Sequence, residues 1–126
     1  MRIAITGAAG MLGTAIRAEL SQLQHEVMAT EVRSKGDLQA LDIRDWEAVR
    51  SCLHELRPDL VLHLAAETNV DRCEKEPDHA YATNTFGTEN VAWACREQGA
   101  AMVYVSTANV FNGEKLEPYT EYDQPG

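Results

Sequence analysis

The opening stretch, MRIAITGAAGMLGTAI, constrains the fold of this chain more than any other segment. An apolar run at residues 2–6 is followed by Gly7, Gly10 and Gly13, and then by residues with helical spacing. Glycine has no Cβ, so it permits a tight turn and lets another group approach the backbone closely. The pattern predicts a strand, a glycine loop and a helix whose first N–H groups have no partner within the helix.

Strand-like and helix-like segments alternate along the rest of the chain. Apolar spacing predicts a helix over residues 11–23, and Asp45 is placed to cap a second helix that ends before Pro58. A long helix is predicted to begin at Pro77 and to stop at Gly99. The predicted strands are residues 2–6, 26–30, 38–43, 60–65 and 101–106, with surface loop from residue 109 onward. This order predicts one α/β domain over residues 1–126, a Rossmann-like doubly wound parallel sheet with helices on both faces.

In such a sheet, ligands bind at the carboxyl ends of the strands. The strand ends bring together Thr6-Gly7, Glu31, Asp42, Ala65-Ala66 and Ser106-Thr107. A helix N-terminus suits a pyrophosphate, and Glu31 stands where a carboxylate accepts hydrogen bonds from an adenosine ribose. The G-x-x-G-x-x-G spacing departs from the usual G-x-G-x-x-G, so a plain turn is the alternative for the loop alone. Together, the loop and the acid predict a dinucleotide site.

The sequence leaves the choice between NAD and NADP open. The Glu31 carboxylate would repel a 2′-phosphate, whereas Arg33 and Lys35 could accommodate one, so NAD is favoured slightly. Asp42 could accept the adenine amino group, and Ile43 could form an apolar wall for the ring. A strand end followed by a helix cap explains the same pair equally well.

Other classes of function have little support in the sequence. The net charge of −9 argues against a nucleic-acid binder, and no apolar run is long enough for a membrane span. Cys52, Cys73 and Cys95 are odd in number and far apart, which is typical of reduced thiols in a cytoplasmic protein. The histidines lack metal-binding spacing, so no metal site is expected, and His63 is interpreted as a strand-end histidine with satisfied hydrogen bonds.

Five motifs together resemble the extended short-chain dehydrogenases/reductases. They are the glycine loop, the Asp42-Ile43 pair, HLAAETNVD at 63–71, NTFGTENVA at 84–92 and VSTANVFNGEKLEPYTE at 105–121. Within that superfamily, TNVDRCEKEPDHAY and STANVFNGEKLEPYTE are most similar to the dTDP-4-dehydrorhamnose reductases. The resemblance covers the whole chain. It implies reduction of the 4-keto group of dTDP-4-dehydro-L-rhamnose with NADH or NADPH.

The resemblance assigns roles to particular positions. The cofactor-contacting positions it implies are Gly7, Gly10, Met11, Leu12, Gly13, Glu31, Asp42, Ile43, Ala65, Ala66, Glu67 and Thr68. The first five match the pyrophosphate loop, the next three the adenosine pocket, and the last four the segment beside the nicotinamide ribose. Thr107 matches the Ser/Thr that bonds the substrate oxygen, and Asn84 matches an asparagine of the long helix. Many relatives have Asp-Tyr after that threonine, whereas here Ala108 and Asn109 follow it.

The family's general acid, the tyrosine of a Y-x-x-x-K motif, has no counterpart in these residues. None of the four tyrosines is followed four positions later by lysine. We therefore expect the chain to be the cofactor-binding part of a longer reductase, with the Tyr/Lys helix and the sugar-binding region elsewhere. A natural cofactor-binding remnant is the competing explanation.

The same residues leave two other functions open. One is a nucleotide-sugar epimerase or dehydratase of the same superfamily, and the other is a non-catalytic regulatory subunit that binds NADP. The expected small-molecule partner is a nucleotide sugar. The oligomeric state stays open, with a homodimer as the assembly considered.

Overall fold

All five strands of the computed structural model, which describes residues 1–126, run parallel in one sheet. They are β1 (Arg2–Thr6), β2 (Glu26–Glu31), β3 (Gln39–Ala40), β4 (Leu60–His63) and β5 (Ala101–Tyr104). The order β3-β2-β1-β4-β5 places β1 in the centre, with the chain winding outward in both directions from it. The doubly wound parallel sheet is thus confirmed, and the winding reverses between β1 and β4.

The helices cover both faces of this sheet. They are α1 (Met11–Leu20), α2 (Trp46–Leu56), α3 (Val70–Lys75), α4 (Pro77–Tyr81) and α5 (Gly87–Gln98). As predicted, the Asp45 carboxylate accepts the Ala48 N–H at the start of α2, and Gly99 ends α5 with a left-handed φ of 70°. None of these helices has the length and hydropathy needed to cross a bilayer.

The predicted helix from Pro77 to Gly99 is interrupted. A π-helical segment, Ala82–Phe86, joins α4 to α5, and the Gly87 N–H bonds to the Ala82 carbonyl five residues back. Apolar spacing alone does not show this change, because the residues on both sides remain helical.

Several predicted boundaries were wrong. The third strand is only Gln39–Ala40 rather than residues 38–43, because Leu38 pairs with Lys35 across a tight turn and Asp42 accepts the Asp45 N–H in the turn before α2. β4 and β5 end at His63 and Tyr104, each two residues earlier than predicted. The first helix ends at Leu20 rather than at residue 23. Helix α3 was not predicted, since its six residues are too few to show a period.

Two apolar clusters pack against opposite faces of the sheet. On one face, α2 and α5 bury Val49, Leu53, Val91 and Ala94 against the sheet. On the other face, Ile16 and Leu20 of α1 pack against a cluster that contains the β1 residues Ile3 and Ile5. The two layers bury β1, so the loop that follows Thr6 projects from the most buried strand of the fold.

Candidate functional site

The three glycines of the loop have different structural roles. Gly7 has a φ of +69°, and a Cβ there would lie 2.6 Å from the Ala65 nitrogen. A Cβ at Gly13 would lie 2.6 Å from the Gly7 carbonyl oxygen. Gly10, by contrast, would bring its Cβ only to 3.2 Å from that oxygen. Packing therefore requires Gly7 and Gly13, whereas a Cβ at Gly10 would meet one backbone oxygen and no other atom within 4 Å.

The start of helix α1 can accept an anion. Gly10 is the N-cap residue and has no side chain to cap the helix, and the first turn contains no acidic residue. Met11 and Leu12 are 94% and 43% exposed. Free N–H groups and the positive end of the helix dipole favour a phosphate at such a position. The residues present therefore fit a pyrophosphate group.

Glu31 lies against the glycine loop at the end of β2. Its carboxylate accepts the Ala9 N–H at 3.1 Å and the Val32 N–H at 2.9 Å. The loop is also held by the Ala8 N–H, which donates to the Thr30 carbonyl at 3.0 Å. The structure thus brings Glu31 and the glycine loop together, although they lie far apart in the sequence.

Asp42 and Ile43 follow β3, and both side chains already have partners. The Arg44 guanidinium donates to the Asp42 carboxylate at 2.6 and 2.9 Å, and this hydrogen-bonded charge holds the pKa of Asp42 below its usual value. Ile43 is 5% exposed and lies against the α5 residue Gly87, where a Cβ would be 2.7 Å from the Ile43 Cδ1. The Ile43 side chain is therefore part of the core, and its predicted contact with an adenine ring stays a prediction.

The segment after β4 is held in place by Asn84. The Glu67 N–H donates to the Asn84 Oδ1 at 2.7 Å, and the Asn84 Nδ2 donates to the Glu67 carbonyl at 3.0 Å. Ala65 is half-buried, whereas Ala66 and Thr68 are exposed. Asn84 lies in the π-helical segment, so this segment fixes the backbone beside the glycine loop.

The Glu67 carboxylate has basic side chains of α3 and α4 as partners. It lies 3.0 Å from the Arg72 guanidinium and 3.4 Å from the His79 Nε2. The Asn69 N–H, together with the charge of Arg72, holds the pKa of Glu67 below its usual value. Sequence reasoning missed these partners, because they lie on α3 and α4 and show no motif.

Thr107 lies three residues beyond β5 and is exposed. Its Oγ1 accepts the Asn109 N–H at 3.2 Å and so caps a short 3₁₀ turn, Ala108–Val110. It thus follows a strand end at the same edge of the parallel sheet as the glycine loop. No group of three or more His, Cys, Asp or Glu side chains is placed to hold a metal ion.

Comparison with curated proteins gives relatives of several functions. The chain is 42% identical to a dTDP-4-dehydrorhamnose reductase of Streptomyces griseus, over 96% of this chain and 38% of the relative. It is 36% identical to methionine adenosyltransferase 2 subunit beta of Rattus norvegicus, over 98% of this chain and 37% of the relative. The chain therefore spans about two fifths of the length of these relatives.

Solved structures show the same fold. A dTDP-4-dehydrorhamnose reductase of Clostridium acetobutylicum matches with 42% identity and a TM-score of 0.93, over 100% of this chain and 43% of that one. The reductase of Bacillus anthracis, solved in complex with NADP, has 38% identity and a TM-score of 0.90, over 99% and 43%. A Thermus thermophilus UDP-glucose 4-epimerase in complex with NAD has 29% identity and a TM-score of 0.88, over 100% and 44%.

One family model spans the chain from its first residue to its last. It is described as the RmlD substrate binding domain, and it matches residues 1–126. With the parallel sheet and the glycine loop in place, this chain belongs to the RmlD substrate-binding domain family.

Proposed function

We propose that residues 1–126 bind NADH or NADPH within a reductase that acts on the 4-keto group of dTDP-4-dehydro-L-rhamnose. One observation carries the proposal: the uncapped start of α1, with the sparsely packed Gly10 as its N-cap residue, lies beside the Glu31 carboxylate. Relatives named dTDP-4-dehydrorhamnose reductase, one of them solved with NADP, support the choice of reaction and cofactor.

The residues would divide the dinucleotide between them. The N–H groups of Met11 and Leu12 would hold the pyrophosphate, while the Gly10 N–H donates to the Gly7 carbonyl at 3.1 Å and closes the loop. Glu31 would accept hydrogen bonds from the adenosine ribose. The adenine would lie near Asp42 and Ile43, and the nicotinamide ribose near residues 65–68. Because Asp42 is paired with Arg44, its contact with adenine would be shared with that guanidinium.

A reduced nicotinamide, when bound, supplies the hydride for reduction of a ketone. The Thr107 hydroxyl accepts the Asn109 N–H and has no acceptor within residues 1–126 for its own hydrogen. It can therefore donate a hydrogen bond to a ketone oxygen and orient the carbonyl. We further propose that the general acid and the sugar-binding region lie outside residues 1–126. We also propose that the enzyme is cytoplasmic, since all three cysteines are free thiols.

The test is a Gly10→Val substitution in the intact protein. The added side chain would project toward the proposed pyrophosphate position, so we expect NADPH binding to be lost while the fold is retained. NADPH fluorescence titration measures the affinity, and circular dichroism measures the fold. Ala18→Val, at an exposed position of the same helix, is the control. Unchanged NADPH affinity in Gly10→Val would contradict the proposal.

A second function is favoured by one specific relative. Methionine adenosyltransferase 2 subunit beta is 36% identical over nearly the whole chain, and its name describes a subunit. A role as a dinucleotide-binding subunit would preserve the glycine loop without requiring the substrate contacts of Thr107. The intact protein decides between the two: consumption of NADPH with the 4-keto sugar nucleotide indicates the reductase, and NADPH binding without turnover indicates the subunit.

A further inference from the structure

A buried histidine links the central strands beneath the site. His63, the last residue of β4, is 1% exposed and is the register partner of Thr6 in β1. Its Nδ1 lies 2.7 Å from the Thr6 Oγ1, and its Nε2 lies 3.0 Å from the Thr88 Oγ1 on α5. This confirms the prediction that His63 is a strand-end histidine whose ring nitrogens are hydrogen-bonded. Both ring nitrogens have a hydroxyl partner.

The directions of these hydrogen bonds follow from the other groups that the two threonine hydroxyls contact. Thr88 donates its hydroxyl hydrogen to the Asn84 carbonyl at 2.8 Å, so its oxygen can only accept from His63. The imidazole must then carry its hydrogen on Nε2, which leaves Nδ1 to accept from Thr6. The Thr6 oxygen in turn accepts the Ala65 N–H at 3.4 Å. One tautomer thus satisfies every member of the chain.

This chain of hydrogen bonds ends at both sides of the segment after β4. At one end, the Thr6 hydroxyl oxygen accepts the Ala65 N–H. At the other end, the Thr88 hydroxyl donates to the Asn84 carbonyl. The side-chain amide of Asn84 in turn bonds to both the N–H and the carbonyl of Glu67. The Ala65 backbone is in turn packed against Gly7, where there is no room for a Cβ. The position of residues 65–67 therefore determines one wall of the glycine loop.

We propose that His63 is a positioning residue of the dinucleotide site, a neutral imidazole with its hydrogen on Nε2 that fixes residues 65–67 against the glycine loop. The effect on affinity rests on the proposed function, whereas the tautomer and the order of the segment do not. Burial also lowers the pKa of His63 to about 4, in keeping with a neutral ring at neutral pH.

The experiment compares two variants of Thr88 in the intact, ¹⁵N-labelled protein. Thr88→Val removes the hydroxyl at nearly constant shape, and Thr88→Ser retains it. Imidazole ¹⁵N shifts report the tautomer of His63, amide hydrogen exchange reports the order of residues 65–67, and fluorescence titration reports NADPH affinity. We expect the Nε2–H tautomer in the wild type and in Thr88→Ser. In Thr88→Val we expect a mixed tautomer, faster exchange at Ala65 and Glu67, and about tenfold weaker NADPH binding.

Thr30→Val provides a matched control. Thr30 is 2% exposed and donates to the Ile5 carbonyl at 3.0 Å, so its loss also removes one buried hydroxyl bond but leaves the partners of His63 untouched. It should lose a similar amount of stability without a change in the His63 tautomer or in exchange at Glu67.

The variants His63→Asn and His63→Gln keep a polar group near Nδ1 and near Nε2, respectively. Each should retain part of the protection of the residue 65–67 amides against hydrogen exchange.

The outcomes separate the two claims. An imidazolium or an Nδ1–H tautomer in the wild type would overturn the positioning proposal. So would a Thr88→Val variant whose exchange at Ala65 and Glu67 matches that of Thr30→Val and whose NADPH affinity matches that of the wild type. If the wild-type protein does not bind NADPH at all, the proposed function fails. The tautomer and the exchange at residues 65–67 then still decide whether His63 orders this segment.

Discussion

The two ends of the candidate site are built in different ways. The glycine loop follows the most buried strand. Within the loop, Ala8 is 0% exposed and the Ala9 N–H donates to the Glu31 carboxylate. The segment after β5 is held by few contacts: Tyr104 and Val105 are 53% and 48% exposed, and the Oγ1 of Thr107 bonds only to Asn109, two residues away. The proposed cofactor half of the site is therefore fixed by long-range contacts, whereas the proposed substrate half is shaped locally.

This difference means that the two halves should respond differently to substitution. Changes at the glycine loop disturb packing that extends across β1, β2 and β4, so their effects reach the stability of the whole domain. Changes at Thr107 disturb a single exposed turn. The following predictions test that contrast, beginning with the largest expected effect.

Gly13→Val should destabilise the domain by at least about 3 kcal/mol, because its Cβ would lie 2.6 Å from the Gly7 oxygen and 2.8 Å from the Ala8 Cα. Both are backbone atoms that cannot rotate away. Urea denaturation monitored by circular dichroism measures the change. Gly10→Val is the matched control and should cost much less, since its nearest backbone contact is at 3.2 Å. Equal losses at the two positions would remove the distinction between the tightly packed Gly13 and the sparsely packed Gly10.

Acidification should weaken the core beneath the glycine loop. The pKa of His63 is lowered to about 4 from 6.5. Between these values the unfolded chain takes up a proton that the native ring does not, so stability falls as the pH falls from 6.5 toward 4. By pH 5 the loss should be about 2 kcal/mol. Urea denaturation at pH 7.5 and pH 5 measures it. His63→Gln should flatten this dependence, whereas the exposed His54→Gln should leave it unchanged.

Glu31→Ala should change cofactor preference more than stability. Removal of one carboxylate lowers the repulsion of a 2′-phosphate, so the affinity for NADPH relative to NADH should rise, by about three- to tenfold. Parallel fluorescence titrations with the two reduced cofactors give the ratio. The variant also loses the bond from the Ala9 N–H, which should lower both affinities. A ratio that stays constant or falls would show that Glu31 does not face the ribose.

Thr107→Val should have the smallest effect on the fold. Its Oγ1 bonds only to the Asn109 N–H at an exposed turn, so the free energy of unfolding should change by less than about 0.5 kcal/mol. In the intact protein, reduction of the 4-keto sugar should nevertheless fall about a hundredfold, while NADPH affinity is unchanged. Thr107→Ser, which keeps the hydroxyl, should retain activity. A large loss of stability in Thr107→Val would show that the turn belongs to the folded core.

The sequence contains enough information for the sheet and the glycine loop, because both follow from local patterns. Apolar runs mark the strands, and the capping aspartate and terminal glycine mark helix ends at Asp45 and Gly99. The partners within the site could not be predicted in this way. Arg44 pairs with Asp42, and Asn84 holds Glu67 across 17 positions of sequence. Such pairs arise only when the strand order brings distant segments together.

The π-helical segment has a consequence for the angular phase of the long helix. A turn closed by a five-residue step takes up more residues than a 3.6-residue turn, so the side chains before and after it are rotated relative to an unbroken α-helix. This offset lets the Asn84 side chain reach the Glu67 backbone while Val91 and Ala94 remain in the core. Deletion of a single residue within Ala82–Phe86 would restore regular phase, and it would force the helix to give up either its core face or its contact with Glu67.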